Sequence, residues 1–266
     1  MKNYTIPNNL LSTENAKTVK GEKLGYTTYI MYLAPHRQNS RGVNLCSHAS
    51  KGCAKACLFS SGAARFPKVQ LGKMNKTEYY LGDRKAFLEQ LDTEIGAIVS
   101  KHEKMPLDVI YKANGDVLRN KKFAIRLNGT ADINFEKFKI RDGKNIFELY
   151  PTAQFYDYTK NHIRFKRVLP TNYHLTFSMS EDNKEKSFEL LVKGINVAIV
   201  FGVKKETDLP ITYKGYNVLN GDKSDLRFLD DSNSIVGLKY KLMTGAGTKG
   251  MNKENIETND FIVTEF

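Results

Sequence analysis

The stretch "HLTFSMSEDNKEKSFELLVKGINVAIVFG", residues 174–202, decides the fold class. Its opening "HLTFSMS" (174–180) is rich in β-formers and reads as a strand. "KEKSFELLVKG" (184–194) reads as a helix, with Gly194 placed to close its C-terminus. "NVAIVFG" (196–202) is an apolar strand bounded by glycine. Strand, helix and strand in that order predict a parallel βαβ unit.

The alternation extends in both directions. "YTTYIMYLA" (26–34), "FAIRLNG" (123–129), "AQFYDYT" (153–159) and "SIVGLKYKL" (234–242) read as further strands. Residues 76–102 carry Phe87, Leu88, Leu91, Ile95 and Ile98 at helical spacing, and 134–150 reads as helical. About six to eight such units predict an α/β fold, a (β/α) barrel, complete or partial, with a mainly parallel sheet. A doubly wound open sheet is the alternative. Residues 1–266 are expected to form a single barrel-like domain. In either architecture, ligands sit beyond the C-terminal ends of the strands.

The loop after the first confident strand, residues 44–60, holds every cysteine of the chain: Cys46, Cys53 and Cys57. Inert core cysteines would scatter along apolar strands, whereas these lie among Ser, His, Lys, Gly and Ala. Three is an odd number for disulfides, and a reducing compartment disfavours them. The spacing suits a shared metal centre. A structural zinc prefers four ligands, and His48 follows Cys46 too closely to complete the set comfortably. Three thiolates suit a [4Fe–4S] cluster with one iron open, zinc being the alternative. Radical S-adenosylmethionine enzymes resemble this arrangement, holding such a cluster just after their first strand. Their cysteines are spaced C-x3-C-x2-C, against C-x6-C-x3-C here, and no glycine-rich S-adenosylmethionine motif follows. The use of that cofactor therefore has no motif behind it.

Other polar groups fall at predicted strand ends. They are Arg126, Asn128 and Asp132, then Tyr158 and Lys160, then Ser178, and Asp222, Asp225 and Arg227 in a late turn. Parallel topology would gather them on the rim that carries the cysteines. Arg126 and Lys160 would hold an anion, with Asp132, Asp222 and Asp225 as acid, base or cation ligands. Asn128, Tyr158, Ser178 and Arg227 would complete the ligand pocket.

The net charge is +12, from 41 Lys plus Arg against 29 Asp plus Glu. That balance favours anionic partners, nucleic acid among them, or describes a lysine-rich solubility surface. Small basic clusters stand at "RNKK" (119–122) and "RFKR" (164–167). No secretory signal and no membrane-length apolar run is read, so a cytoplasmic location and no membrane partner are expected. "GAGTKG" (245–250) fits a dinucleotide fingerprint, but too little chain follows it, and a glycine turn is the reading.

"RLNGTAD", "YPTAQFYDYTK", "NGDKSDLRF" and "IVGLKYK", together with the cysteine loop, resemble the phage protein family called gene product eighty-eight. The likeness spans roughly residues 26–242. It implies a phage-encoded protein, present in the host cytoplasm, with a barrel-like fold and an iron–sulfur centre. It supplies no reaction. Family members often close this last motif as "GLKAKG", whereas this chain reads "GLKYKL".

Three functions are expected to compete. One is an iron–sulfur lyase or redox enzyme acting on a small anionic substrate. The second is a basic nucleic-acid-binding replication or modification factor with a structural metal. The third is a regulatory protein whose cysteine site braces a loop.

Overall fold

The computed structural model describes residues 4–13, 16–104, 109–111, 117–119 and 122–266. Of the basic "RNKK" stretch, positions 120 and 121 lie outside the described residues. The strands are β1 (Leu11–Ser12), β2 (Tyr26–Met31), β3 (Val109–Tyr111), β4 (Val117–Arg119), β5 (Lys122–Arg126) and β6 (Gln154–Thr159). They continue as β7 (Tyr173–Ser178), β8 (Val197–Phe201), β9 (Thr212–Tyr213), β10 (Tyr216–Asn220), β11 (Ile235–Lys239) and β12 (Ile262–Val263). The helices are α1 (Ala16–Glu22), α2 (Lys51–Lys55), α3 (Pro67–Gly82), α4 (Arg84–Glu103), α5 (Ile146–Leu149), α6 (Lys184–Val192) and α7 (Thr248–Thr258).

Strands β3 and β4 form a separate antiparallel pair. The main sheet runs β1-β2-β5-β6-β7-β8-β11-β10-β9. From β2 to β10 every neighbouring pair is parallel. The predicted parallel βαβ unit is β7-α6-β8, closed by Gly194 at φ 82°. The predicted barrel is not what forms: the sheet is open. Closure would require β2 to pair with β10. Each of those edges is instead taken by a short antiparallel strand, β1 on β2 and β9 on β10. Two-residue edge strands leave little unpaired backbone to recruit another strand.

The open sheet is nonetheless spanned. The segment after β10 reaches across to β2, β5 and β6, where Leu226 packs with Ala124 and Tyr156. Phe228 meets the rings of Tyr26 and Tyr156 at 5.3 and 5.6 Å. Side chains alternate along a strand, so β6 is buried on both faces. Its Tyr156 faces this segment, and its Phe155 joins the larger core with Phe147, Leu91 and Ile95. A second core gathers Leu190 and Leu191 of α6 against Phe177, Ile199 and Phe201.

Strand β8 has a divided edge. Val197 and Ala198 pair with β7, while Val200 and Phe201 pair with β12. Strand β7 therefore leaves β8 after Ser178, and the residues around Phe261 enter beside it.

Two helix boundaries differ from expectation. The 76–102 periodicity spans two helices that meet at Asp83, whose side chain accepts from the Ala86 N–H and starts α4. The 134–150 stretch is mostly not α-helical. Asp142 and Gly143 take φ 54° and 68° in a tight turn, as Asp-Gly favours. Only Ile146–Leu149 is α-helical, started by a capping box from Asn145 and Glu148. "GAGTKG" is a glycine turn leading into α7, with Gly247 at φ 79°. Among the described residues, no helix is long and apolar enough to cross a membrane.

The "RFKR" cluster is divided: Lys166 and Arg167 are exposed, whereas Arg164 is a core residue at 2% exposure. Its guanidinium donates to both Glu136 carboxylate oxygens at 2.9 and 2.8 Å, to the Tyr173 hydroxyl at 2.7 Å and to Asp132 at 3.3 Å. Removing it would strand two shielded carboxylates. Arg164→Met is therefore expected to destabilise the protein by about 3–5 kcal/mol in urea denaturation; an unchanged midpoint would show that Arg164 does not hold this corner.

Candidate functional site

The C-terminal ends of the parallel strands surround one cavity of about 570 Å³. Cys46, Cys53 and Cys57 contribute to one part of its wall, from the chain that follows β2. Arg126, Asn128 and Asp132 enter after or from β5, Tyr158 and Lys160 from the end of β6, and Ser178 from β7. Asp222 and Asp225 arrive with the turn after β10. Of the residues singled out in the sequence, Arg227 stays out of the lining. It is buried beneath that turn, donating to the Ser224 carbonyl and pairing with Asp230 at 3.1 Å.

The cysteine loop is pinned by residues from distant segments. Ser50 caps α2 by accepting from the Cys53 N–H at 3.1 Å, and its hydroxyl donates to Glu181 at 2.6 Å. The same carboxylate accepts from the Gly52 N–H at 2.6 Å, and Asn259 donates to the Gly52 carbonyl at 3.0 Å. A Cβ on Gly52 would lie 2.2 Å from Asn259 Oδ1 and 2.7 Å from Glu181 Oε1. Only glycine lets the loop sit this close. Gly52→Ala is expected to cost about 1–3 kcal/mol and to speed alkylation of Cys53 as the loop lifts; equal rates would show that the loop is held elsewhere.

The thiols differ in surroundings. Burial pushes the Cys46 thiol up to about 12, against a hydrogen bond from the His36 N–H. Its Sγ also lies 3.7 Å from the Thr130 carbonyl, to which the thiol donates. Burial raises Cys57 too, while the Phe59 N–H and the charges of Lys73 and Lys160 act in the opposite sense. His48 is exposed, bonded to Ser47 at 2.9 Å, and lies outside the lining. Among the described residues, no three His, Cys, Asp or Glu side chains are grouped to hold a metal ion.

Several expected site residues hold the cavity's frame. Arg126 pairs with Asp225 at 2.6 Å and lies with its guanidinium 4.7 Å from the Tyr158 ring centroid. Asp157, fully buried, accepts from the Asn128 N–H at 2.7 Å and the Tyr173 hydroxyl at 3.0 Å. Burial pushes its carboxyl up to about 6, opposed by Arg126 and by that N–H. Asn128 exchanges bonds with Ile133, donating to its carbonyl and accepting from its N–H. Asp132 accepts from the Lys160 N–H at 2.9 Å, from Thr159 and from Arg164. Asp222 accepts from the Lys239 N–H at 2.8 Å and pairs with Lys241 at 2.5 Å.

Lys160 has its amine on Ser178 Oγ at 2.7 Å and 5.2 Å from the Phe261 ring centroid. Sequence reading missed Lys73, which α3 carries into the lining, and Asp157, which sits in mid-strand. Lys73 lies in no motif, and Asp157 falls inside "YPTAQFYDYTK" but in mid-strand, without a strand-end signal. Only the packing of α3 over the cysteine loop brings Lys73 to the cavity.

These features define an open α/β sheet with a thiol- and lysine-lined cavity at its strand ends, the customary ligand position in such sheets. The likeness to radical S-adenosylmethionine barrels reduces to the position of the cysteine loop after β2. The Gene product 88 family model matches residues 9–255, and the chain belongs to that family of phage proteins. Comparison with curated proteins and with solved structures gave no match.

The turn beneath the cavity carries a pH signature. Burial pushes Asp230 up to about 6 from the ordinary 3.8, against the pull of Arg227. A carboxyl raised in this way stabilises the fold below its unfolded value, and the contribution is lost as pH rises through its folded value. The stability of the parent relative to Asp230→Asn should therefore fall by about 1–2 kcal/mol between about pH 4 and pH 7. Urea melts across that range test this, and a flat difference would contradict it.

Proposed function

We propose that this phage protein binds an iron–sulfur cluster through Cys46, Cys53 and Cys57, and acts on a small anionic substrate in the adjoining cavity. The observation that carries the reading is that all three cysteines of the chain line one cavity beside lysine amines. A single zinc ion fits poorly. It wants four donors converging at about 2.3 Å for sulfur, and the described side chains show no three-donor group. A cluster suits the donor set better, since it spreads its thiolates over separate irons and attracts soft ligands. Its positive irons would also offset the burial that holds Cys46 and Cys57 protonated.

A bound cluster with an open iron would supply a Lewis-acid or electron-transfer centre. The chain's own residues would do the rest. Lys160 would orient the anion, with Ser178 fixing its amine. Tyr158 and Phe261 would exclude water. Arg126 would keep the wall rigid through Asp225 rather than contact the substrate. A redox or lyase reaction in the host cytoplasm, where thiols stay reduced, is consistent with these roles.

The test is anaerobic purification of the full chain. A brown protein with about four iron and four sulfide per chain is expected, and Cys46→Ser should stay folded and lose the colour. A colourless chain carrying stoichiometric zinc would overturn the reading. Steeply salt-dependent DNA binding by a cluster-free chain would favour nucleic-acid handling instead.

A further inference from the structure

Lys73 is the least explained charge in the molecule. It lies in α3, only 7% exposed, and lines the cavity. Its amine sits 5.5 Å from the Tyr32 ring centroid and 5.7 Å from that of Phe59. Among the described residues, it has neither a hydrogen-bond acceptor nor a carboxylate partner. Burial lowers its proton affinity, and the nearby Cys57 acts in the opposite sense. An ammonium taken out of water is costly unless an opposite charge or acceptors replace the solvent. Aromatic faces offset part of that cost, and no anion of the chain supplies the rest.

Lys160 is similarly placed on the other influence felt by Cys57. Among the described residues its side-chain hydrogen-bond partner is a hydroxyl, Ser178 Oγ. That oxygen accepts from the amine, so its own hydrogen remains available to a ligand. The carboxylates that could have neutralised these lysines are engaged elsewhere. Asp132 serves Arg164 and backbone, Asp222 serves Lys241, Asp225 serves Arg126, and Glu181, which feels the charge of Lys160, serves the Ser50 hydroxyl and the Gly52 N–H. The cavity thus keeps two amines and a hydroxyl beside Cys57, with its acids turned to other partners.

We propose that Lys73 and Lys160, with Ser178, form an oxyanion-binding end of the cavity, so that the ligand presents a carboxylate or phosphate group beside Cys57. The assignment rests on the cavity being the substrate site, and it moves the recognition of charge from Arg126 to Lys73. Arg126 is stacked and paired, whereas Lys73 has no counter-charge until a ligand arrives. Tyr32 and Phe59 then lie beside the part of the ligand next to its anionic group.

Calorimetric titration of the full chain with inorganic phosphate and with malonate, at low ionic strength, tests this and separates the two oxyanion sources. Saturable binding of at least one is expected. Lys73→Met and Lys160→Met should each weaken it about tenfold or more. Lys73→Arg should recover most of the loss, and Lys68→Met, an exposed change on the same helix, should leave binding unaltered. Binding of neither anion at millimolar concentration would overturn the proposal. So would equal binding by parent and both Met variants, which would leave the lysines as counter-charges for the thiols. Iron and sulfide are measured in the same samples. Anion binding by an iron-free chain would keep this assignment and remove the cluster, and an iron-loaded chain that takes up no anion would do the reverse.

Discussion

Arg126 is the charge on which the architecture turns. It leaves β5 with its guanidinium 2.6 Å from Asp225, a residue ninety-nine positions later in the chain. Asp157 stands 4.0 Å from its Nε on the neighbouring strand. All three side chains are buried, so none can be left without its partners at acceptable cost. Arg126 thereby fixes the turn after β10 against strands at the far side of the sheet. The sheet has no hydrogen-bonded closure, so this ion pair and the Leu226 and Phe228 contacts span it instead. The cavity then has walls on two sides, the cysteine loop after β2 and the turn after β10.

The parts of this fold legible in the sequence are those with a strong local signal. Apolar β-formers mark β2, β5, β6, β7, β8 and β11, and Gly194 marks the end of the helix between β7 and β8. Parallel order follows from the alternation. Whether the sheet closes is a different kind of fact. It depends on β1 and β9, two residues each, too short to show a periodicity, and their partners are set by tertiary contacts. The Asp-Gly turn at 142–143 was readable and outweighs the helical spacing around it, because two consecutive positive φ angles cannot continue a helix.

The site divides along the same line. Strand-end reasoning places Arg126, Asp132, Lys160, Ser178 and Asp222 at one cavity, because parallel strands deliver their C-terminal ends to one rim. It does not say what each residue does there. Asp132, Asn128 and Asp222 are engaged by backbone and by neighbouring side chains, Asp132 by Arg164 and Asp222 by Lys241, which a sequence cannot distinguish from a catalytic carboxylate or amide. Lys73 is the opposite case. On α3 it has the appearance of a solvated helix charge, and only the fold of the cysteine loop over that helix encloses it between Tyr32 and Phe59.

The cysteine loop shows why burial and charge must be considered together. Glu181 and Asn259 hold Gly52 through its N–H and carbonyl, so closely that no side chain fits there. The thiols of Cys46 and Cys57 are shielded, and shielding disfavours thiolate. Cys46 has only the His36 N–H to oppose this and is held near 12, so on its own it is a poor nucleophile. Cys57 is set apart by the influence of Lys73 and Lys160. A positive centre entering the cavity would favour the thiolates of Cys46 and Cys57, and an anion entering would neutralise the two lysines. Each would offset a cost that burial imposes, on thiolate in the first case and on ammonium in the second.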